Sequence, residues 1–294
     1  MIAAVTAKAF AALRAEAPAD VEVLRLPDGL ATAAFLVPGW NDADALDALP
    51  RLPSLRVIQT LSAGTDFIDS RVPPWATLCN ARGARDISVA EWVVGALLGA
   101  LYGQLAAARE RRWEYRTPRE LHGMTVLILG YGSIGRALAT RLSALGAHPL
   151  GVARRAHDGV HGIDDLDGLL GGADAVVLLL PLTDATRGRV DAAFLARLRD
   201  GAVLVNAGRG AVVDTDALVA ELASGRIEAV LDVVDPEPLP DDHPLWRLAL
   251  SVTPHNAGDS DASDARAASL AARQLGRFAR GEPLENVVRR QLPP

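Results

Sequence analysis

Residues 125–146 read TVLILGYGSIGRALATRLSALG. An apolar run, 125–129, gives way to Gly130-Tyr131-Gly132-Ser133-Ile134-Gly135 and then to a stretch with apolar residues at helical spacing. The G-x-G-x-x-G pattern alone is common, and it gains meaning between a strand and a helix. Its glycines permit a tight turn and close backbone approach. The following helix N-terminus offers N–H groups and a partial positive charge to a pyrophosphate. The stretch therefore predicts a parallel α/β sheet with a dinucleotide site at Gly130, Gly132, Ser133, Ile134 and Gly135. A plain glycine-rich strand–helix turn is the bland alternative.

Downstream, short apolar runs recur with helix-length segments between them. With 125–129, the strand candidates are 149–153, 175–180, 202–206, 229–233 and 251–253, six in all and the number in a full dinucleotide-binding sheet. Upstream, candidates at 2–6, 21–26, 33–37, 56–61 and 77–80 predict a second parallel sheet. Between the two sets lies an Ala-, Leu- and Val-rich helical pattern from Ser88 to Arg112. It is too apolar for a surface helix and is expected to bridge domains or to pack between subunits. The polar run DSDASD, 259–264, reads as a helix start with Ser or Asp as N-cap rather than as a linker.

Three runs past the glycine turn end in polar residues: AVLVNAGRG places Arg209, EAVLDVVDPEP places Glu237 and LSVTPHNAG places His255. Parallel strands bring their carboxyl ends to one edge, where ligands bind. A cation, an acid and an imidazole converging there suit an anion clamp, a pKa tuner and a proton mover. Taken singly, each has a structural alternative: an ion-pair partner, a solvated turn residue and a strand-capping loop histidine.

The cofactor's ribose is read at GVARR, 151–155. An NAD site carries an acid about 20 residues past the fingerprint. Here Ala153 occupies that place and Arg154 and Arg155 follow. Two guanidiniums can pair with a 2′-phosphate, so NADP is expected, with NAD the alternative if the arginines are merely solvated.

Bulk properties narrow the class. At 294 residues the chain is long enough for two domains. A formal charge of −6 with scattered basic residues argues against nucleic acid as partner. No apolar stretch approaches the roughly 20 residues that cross a bilayer, and MIAAVTAKAF lacks the order of a signal peptide. Cys79 is the only cysteine, reads as a buried small hydrophobe and suits a reducing cytoplasm. No residue is assigned to a metal.

The motifs GYGSIG, LPLTDATRGRV, VNAGRGAVVD, LDVVDPEPL, PLW and TPHNAG, in this order, resemble the D-isomer-specific 2-hydroxyacid dehydrogenases. LSAGTDFID, NARGARDISVAEW and ELHGMTVLILGYG extend the resemblance over roughly residues 55 to 290. It implies a flavodoxin-like substrate domain, 1–94 plus 272–294, and an inserted Rossmann domain, 95–271. The chain would cross twice, near 93–97 and 258–272, so that a cleft can close by hinge motion.

The resemblance implies hydride transfer between NAD(P)H and C2 of a small 2-oxo acid, of the glyoxylate or hydroxypyruvate type. Arg209 would hold the substrate, His255 would act as acid or base, and Glu237 would bond the imidazole. Asp232 would accept from the nicotinamide carboxamide. Pro181, Thr186, Ala207, Gly208 and Gly258 would line the cofactor. Ala63 and Gly64 would give backbone N–H groups to the substrate carboxylate, and a homodimer is implied, with the 88–112 helix near its interface. Arg82 and Arg85 are read as solvated, though they could meet a second anionic group, which Asp259 would oppose. Trp92 and Phe67 could line a pocket or sit in the core. A phosphite-type oxyanion dehydrogenase of the same superfamily, or a dinucleotide-sensing binding protein, are the rival readings.

Overall fold

The computed structural model describes residues 1–40, 42–111, 113–115 and 117–289. Contacts divide the chain into two compact units, Met1–Arg85 with Asp259–Pro294, and Asp86–Gly258.

The first unit contains β1 (Ile2–Val5), β2 (Glu22–Arg25), β3 (Phe35–Val37), β4 (Val57–Gln59), β5 (Thr77–Cys79) and β13 (Val287–Arg289). The sheet order is β13-β5-β4-β3-β1-β2. β1 to β5 pair in parallel, and β13 joins β5 antiparallel. This is the flavodoxin-like order with an added edge strand. Successive strand residues serve opposite faces, as the pleat requires. Ala3, Val5, Phe35, Val37, Val57 and Cys79 face the core shared with α1 (Ala7–Glu16) and α10 (Asp261–Ala279). Ala4, Leu36, Ile58 and Leu78 face the core shared with α2 (Ala43–Ala48). Burial raises the Cys79 thiol to about 11, so it stays protonated and inert. At the start of α10 the Ser260 hydroxyl accepts from Ser263 N and Ser263 Oγ accepts from Ser260 N, so the polar run is a helix start.

The second unit contains β6 (Thr125–Leu129), β7 (His148–Ala153), β8 (His161–Gly162), β9 (Ala175–Leu178), β10 (Val203–Asn206), β11 (Glu228–Leu231) and β12 (Ser251–Val252). They form a parallel sheet in the order β12-β11-β10-β9-β6-β7-β8. The order reverses between β9 and β6, the doubly wound arrangement whose switch point receives a dinucleotide. α3 (Asp86–Leu101), α4 (Gln104–Glu110) and α5 (Ser133–Ala144) follow the first crossing and the glycine turn. α6 (Leu166–Leu170), α7 (Ala192–Ala196), α8 (Thr215–Ser224) and α9 (Leu245–Leu248) complete the unit.

Three expectations are corrected. The boundaries placed at 94/95 and 271/272 fall inside α3 and α10, which each unit keeps whole. Val89, Ala90, Val93 and Leu97 of α3 are buried in the second unit's core, and Ala268, Ala271 and Leu275 of α10 in the first unit's. Dividing either helix would expose its apolar face. Next, the single helix expected over 88–112 is two helices bent by 69°. Gly103, in the left-handed region at φ 68, ends the first, and Arg112 lies outside the described residues. Burial within its own unit accounts for the apolarity of α3. Finally, β8 and β13 were not expected from the sequence. Among the described residues, no single helix is long and apolar enough to cross a membrane.

Candidate active site

The glycine turn forms at the carboxyl end of β6, inside the second sheet between β9 and β7. Gly130 has φ +102, and a Cβ there would lie 2.6 Å from Leu179 O. A Cβ at Gly135 would lie 2.7 Å from Gly130 O, so this glycine lets α5 fold back onto the turn. Around Gly132, by contrast, a Cβ would meet nothing within 4 Å. The protein thus leaves space beside the first turn of α5, whose leading N–H groups have no helical acceptor. That cradle fits a dinucleotide pyrophosphate. Ser133 Oγ donates to Asp86 Oδ1 at 3.1 Å, joining the turn to the start of α3.

Arg209, Glu237 and His255 follow β10, β11 and β12, which are adjacent in the same sheet. His255 Nδ1 lies 3.0 Å from Glu237 Oε2, and Glu237 Oε1 accepts from Val234 N at 3.2 Å. His255 itself adopts φ 53, a left-handed conformation uncommon for a residue with a Cβ. Asp232, 2% exposed at the end of β11, holds that turn. Its carbonyl accepts from His255 N at 2.8 Å. Its Oδ1 accepts from the Thr253 hydroxyl at 2.6 Å and from Asn256 N at 3.0 Å, and its Oδ2 from Ala257 N at 3.0 Å.

Electrostatics follow from this geometry. The hydrogen bond to Glu237 raises the His255 pKa; burial works against it, the Glu237 charge adds to the rise and the Arg209 charge opposes it. Burial alone would raise Glu237, but the His255 hydrogen bond and charge, the Val234 N–H and the Arg209 charge together bring it below its ordinary value. The pair therefore favours carboxylate with imidazolium. With a guanidinium close by, the edge can hold an anion and supply a proton.

Residues 95–257 match the family model for the D-isomer specific 2-hydroxyacid dehydrogenase, NAD binding domain. The chain belongs to this family. It is 35% identical over 273 residues to a glyoxylate reductase of Thermofilum pendens, covering 85% of this chain and 79% of that protein. A D-isomer specific 2-hydroxyacid dehydrogenase structure from Xanthobacter autotrophicus Py2, in complex with NADPH and MES, superposes with TM-score 0.81 at 32% identity, covering 98% of each chain. An NADPH-dependent glyoxylate/hydroxypyruvate reductase from Sinorhizobium meliloti, in complex with NADP and sulfate, gives TM-score 0.82 at 31% identity, covering 98% of this chain and 97% of that one.

The other expected residues of this 2-hydroxyacid dehydrogenase take several settings. Arg154 and Arg155 are exposed just past β7. The Thr186 hydroxyl donates to Pro181 O at 2.6 Å and accepts from Thr183 N at 2.8 Å, so it closes the turn after β9. Ala207 and Gly208 follow β10, and a Cβ at Gly208 would lie 2.9 Å from Leu180 O. Gly258 is the last residue of the second unit, whereas Ala63 and Gly64 belong to the first, in the loop after β4. Arg82 Nη2 donates to Asn286 Oδ1 at 3.2 Å.

Arg85 departs from expectation. Its side chain is only 15% exposed and pairs with Asp259 and with Asp264, the latter at 3.2 Å. It is neither solvated nor spare for a second substrate anion, because its charge is spent on two carboxylates. Trp92 and Phe67 both pack against core clusters.

Two residues of the second unit escaped the sequence reading. Asn206, 1% exposed, accepts from Gly208 N at 3.1 Å and donates to Arg209 O at 3.1 Å, fixing the turn that carries Arg209. At Gly210 a Cβ would lie 1.8 Å from Val234 O, so this glycine lets the turns after β10 and β11 approach. The Asn at a strand end and the second glycine of AGRG were the available signals.

Proposed function

We propose that the chain reduces a small 2-oxo acid to its D-2-hydroxy acid with NADPH, glyoxylate and hydroxypyruvate being the favoured substrates. The 3.0 Å contact between His255 and Glu237, one strand from Arg209 on the edge that carries the glycine turn, carries this reading. The bound dinucleotide supplies the hydride that reaches C2 of the substrate. Arg209 binds the substrate's carboxylate and 2-oxo oxygen, a task suited to a planar guanidinium. Protonated His255 gives its proton to that oxygen as C2 is reduced, and takes it back in the oxidation direction. Glu237 holds Nδ1–H, leaves Nε2 to carry the transferable proton, and keeps the ring charged to higher pH. Ala63 and Gly64 donate backbone N–H groups to the carboxylate, and Asp232 accepts from the nicotinamide carboxamide. Pro181, Thr186, Ala207, Gly208 and Gly258 line the cofactor.

The preference for NADP rests on Arg154 and Arg155 at the place where an acid would accept from an unmodified ribose. The NADPH- and NADP-bound relatives support it. We further propose a cytoplasmic homodimer, for which Tyr102, Trp113 and Tyr115, exposed on the second unit, offer apolar surface.

Oxidation of NADPH and of NADH against glyoxylate, hydroxypyruvate, pyruvate and bulkier 2-oxo acids tests the reading. NADPH with a small 2-oxo acid should give the highest kcat/KM. Arg154→Asp should lower kcat/KM for NADPH by about tenfold or more relative to NADH. An unchanged ratio would remove the 2′-phosphate assignment.

A further inference from the structure

In the loop after β4, every peptide carbonyl from Leu61 to Gly64 is held from within the first unit. Leu61 O accepts from Arg85 Nε at 3.2 Å. Ser62 O accepts from the Thr60 hydroxyl and from Ala81 N, both at 2.9 Å. Ala63 O accepts from Asn80 Nδ2 at 2.7 Å, and Gly64 O from the Ser62 hydroxyl at 2.7 Å. No acceptor among the described residues meets the N–H groups of Ser62, Ala63 or Gly64.

A trans peptide points its C=O and the next residue's N–H in opposite directions. Holding a carbonyl therefore aims the following N–H. The bond from Thr60 and Ala81 to Ser62 O aims the Ala63 N–H, and the bond from Asn80 to Ala63 O aims the Gly64 N–H. Both anchors are themselves fixed. Thr60 is fully buried, with its N–H on Cys79 O at 3.0 Å. Asn80 gives its N–H to Asn286 O at 3.1 Å, and its Oδ1 accepts from Arg82 N at 3.2 Å. That last bond also sets which end of the amide faces Ala63: the oxygen is taken, so the NH2 donates.

We propose that Asn80 and Thr60 are positioning residues that aim the Gly64 and Ala63 amides at the carboxylate of the 2-oxo acid. The proposal rests on the assignment of those two amides to substrate binding. Neither side chain needs to touch the substrate. Each restricts one peptide to the orientation in which its N–H faces outward, so that the loop meets a carboxylate without reorganising. Asn80→Asp keeps the size and the acceptor for Arg82 N but replaces the donor with a second acceptor. The Ala63–Gly64 peptide then turns its N–H towards residue 80 and away from the substrate. Thr60→Val keeps the shape and removes only the hydroxyl.

The test measures oxamate, an unreactive analogue of a small 2-oxo acid, binding to the NADPH-saturated enzyme by calorimetry. Amide ¹H–¹⁵N spectra of residues 63 and 64 are followed alongside. In the wild type oxamate should shift both amides. Asn80→Asp should weaken oxamate about tenfold and abolish the Gly64 shift. Thr60→Val should weaken it severalfold and reduce the Ala63 shift. NADPH affinity should stay within about twofold in both, which a general loss of structure would not allow. Absent oxamate binding, or unmoved amides in the wild type, would remove the carboxylate assignment and the proposal with it. Normal wild-type shifts with wild-type oxamate affinity in both variants would overturn the positioning role alone.

Discussion

At His255 the backbone turns left-handed, at φ 53, and the imidazole reaches Glu237 from that position. Such a conformation costs of order 1 kcal/mol or more and persists only when its surroundings fix it. Asp232 is the fixing group, since its carboxylate takes the Thr253 hydroxyl and the N–H groups of Asn256 and Ala257. An amide in its place would turn a donor towards one of those N–H groups. Asp232→Asn should therefore lower stability by about 2 kcal/mol and reduce kcat, read from urea unfolding and from steady-state NADPH oxidation. Wild-type values in both would refute the scaffold role. The ionic pair also ties stability to pH. His255 is raised, so its contribution is full below the ordinary histidine pKa and is lost as pH rises through the folded value. Glu237 is lowered, so its contribution is present above the ordinary glutamate pKa and is lost as pH falls through the folded value. The pair stabilises the window between the two.

At the scale of elements, glycines decide how closely the turns at the carboxyl edge approach, and they separate structural from ligand-facing roles. Gly210 abuts Val234 O, so Gly210→Ala should force the turns after β10 and β11 apart and cost about 1–3 kcal/mol. Gly132 has open space, so Gly132→Ala should leave the melting temperature unchanged yet weaken NADPH binding about tenfold or more, measured by fluorescence titration. Unchanged affinity would mean that the space beside α5 does not take the pyrophosphate. The central strands were legible because runs such as TVLIL and AVVL are buried on both faces and read as continuous apolar segments. β8, with two residues, and β13, an antiparallel edge strand whose outer two residues are exposed, carry no such signal. The break at Gly103 was hidden because apolar residues continue on both sides of it. Arg209, Glu237 and His255 were legible because their chemistry is distinctive. Asn206, Thr60 and Asn80 were not, since they act on backbone groups that a sequence does not display.

At the scale of the molecule, the chain passes between its units at Arg85/Asp86 and at Gly258/Asp259. The first unit ties its two crossing ends together, because Arg85 pairs with Asp259 and Asp264, and Lys8 joins Asp264 at 2.8 Å. Arg266 Nε, from α10, donates to Ala84 O at 2.8 Å beside the same crossing. Arg85→Met removes the cation that Asp259 and Asp264 share and leaves Asp264 to Lys8. It should lower the melting temperature by several degrees, measured by calorimetry at pH 7. An unchanged melting temperature would show that the ends do not depend on this pair. The unit boundaries and the pairing of Arg85 both depend on which elements pack together, which a sequence does not display. Periodicity reveals that a helix has an apolar face, but not which of two cores that face enters.

The measurement that bears most directly on the account is the pH dependence of kcat/KM for 2-oxo acid reduction by NADPH, compared between wild type and Glu237→Gln. His255 must be protonated to donate, so activity should fall as pH rises through its raised pKa. Without the carboxylate that raises it, the alkaline limb of Glu237→Gln should move to lower pH. Coincident limbs in the two proteins would contradict the assignment of His255 as the proton donor and of Glu237 as the group that sets its charge.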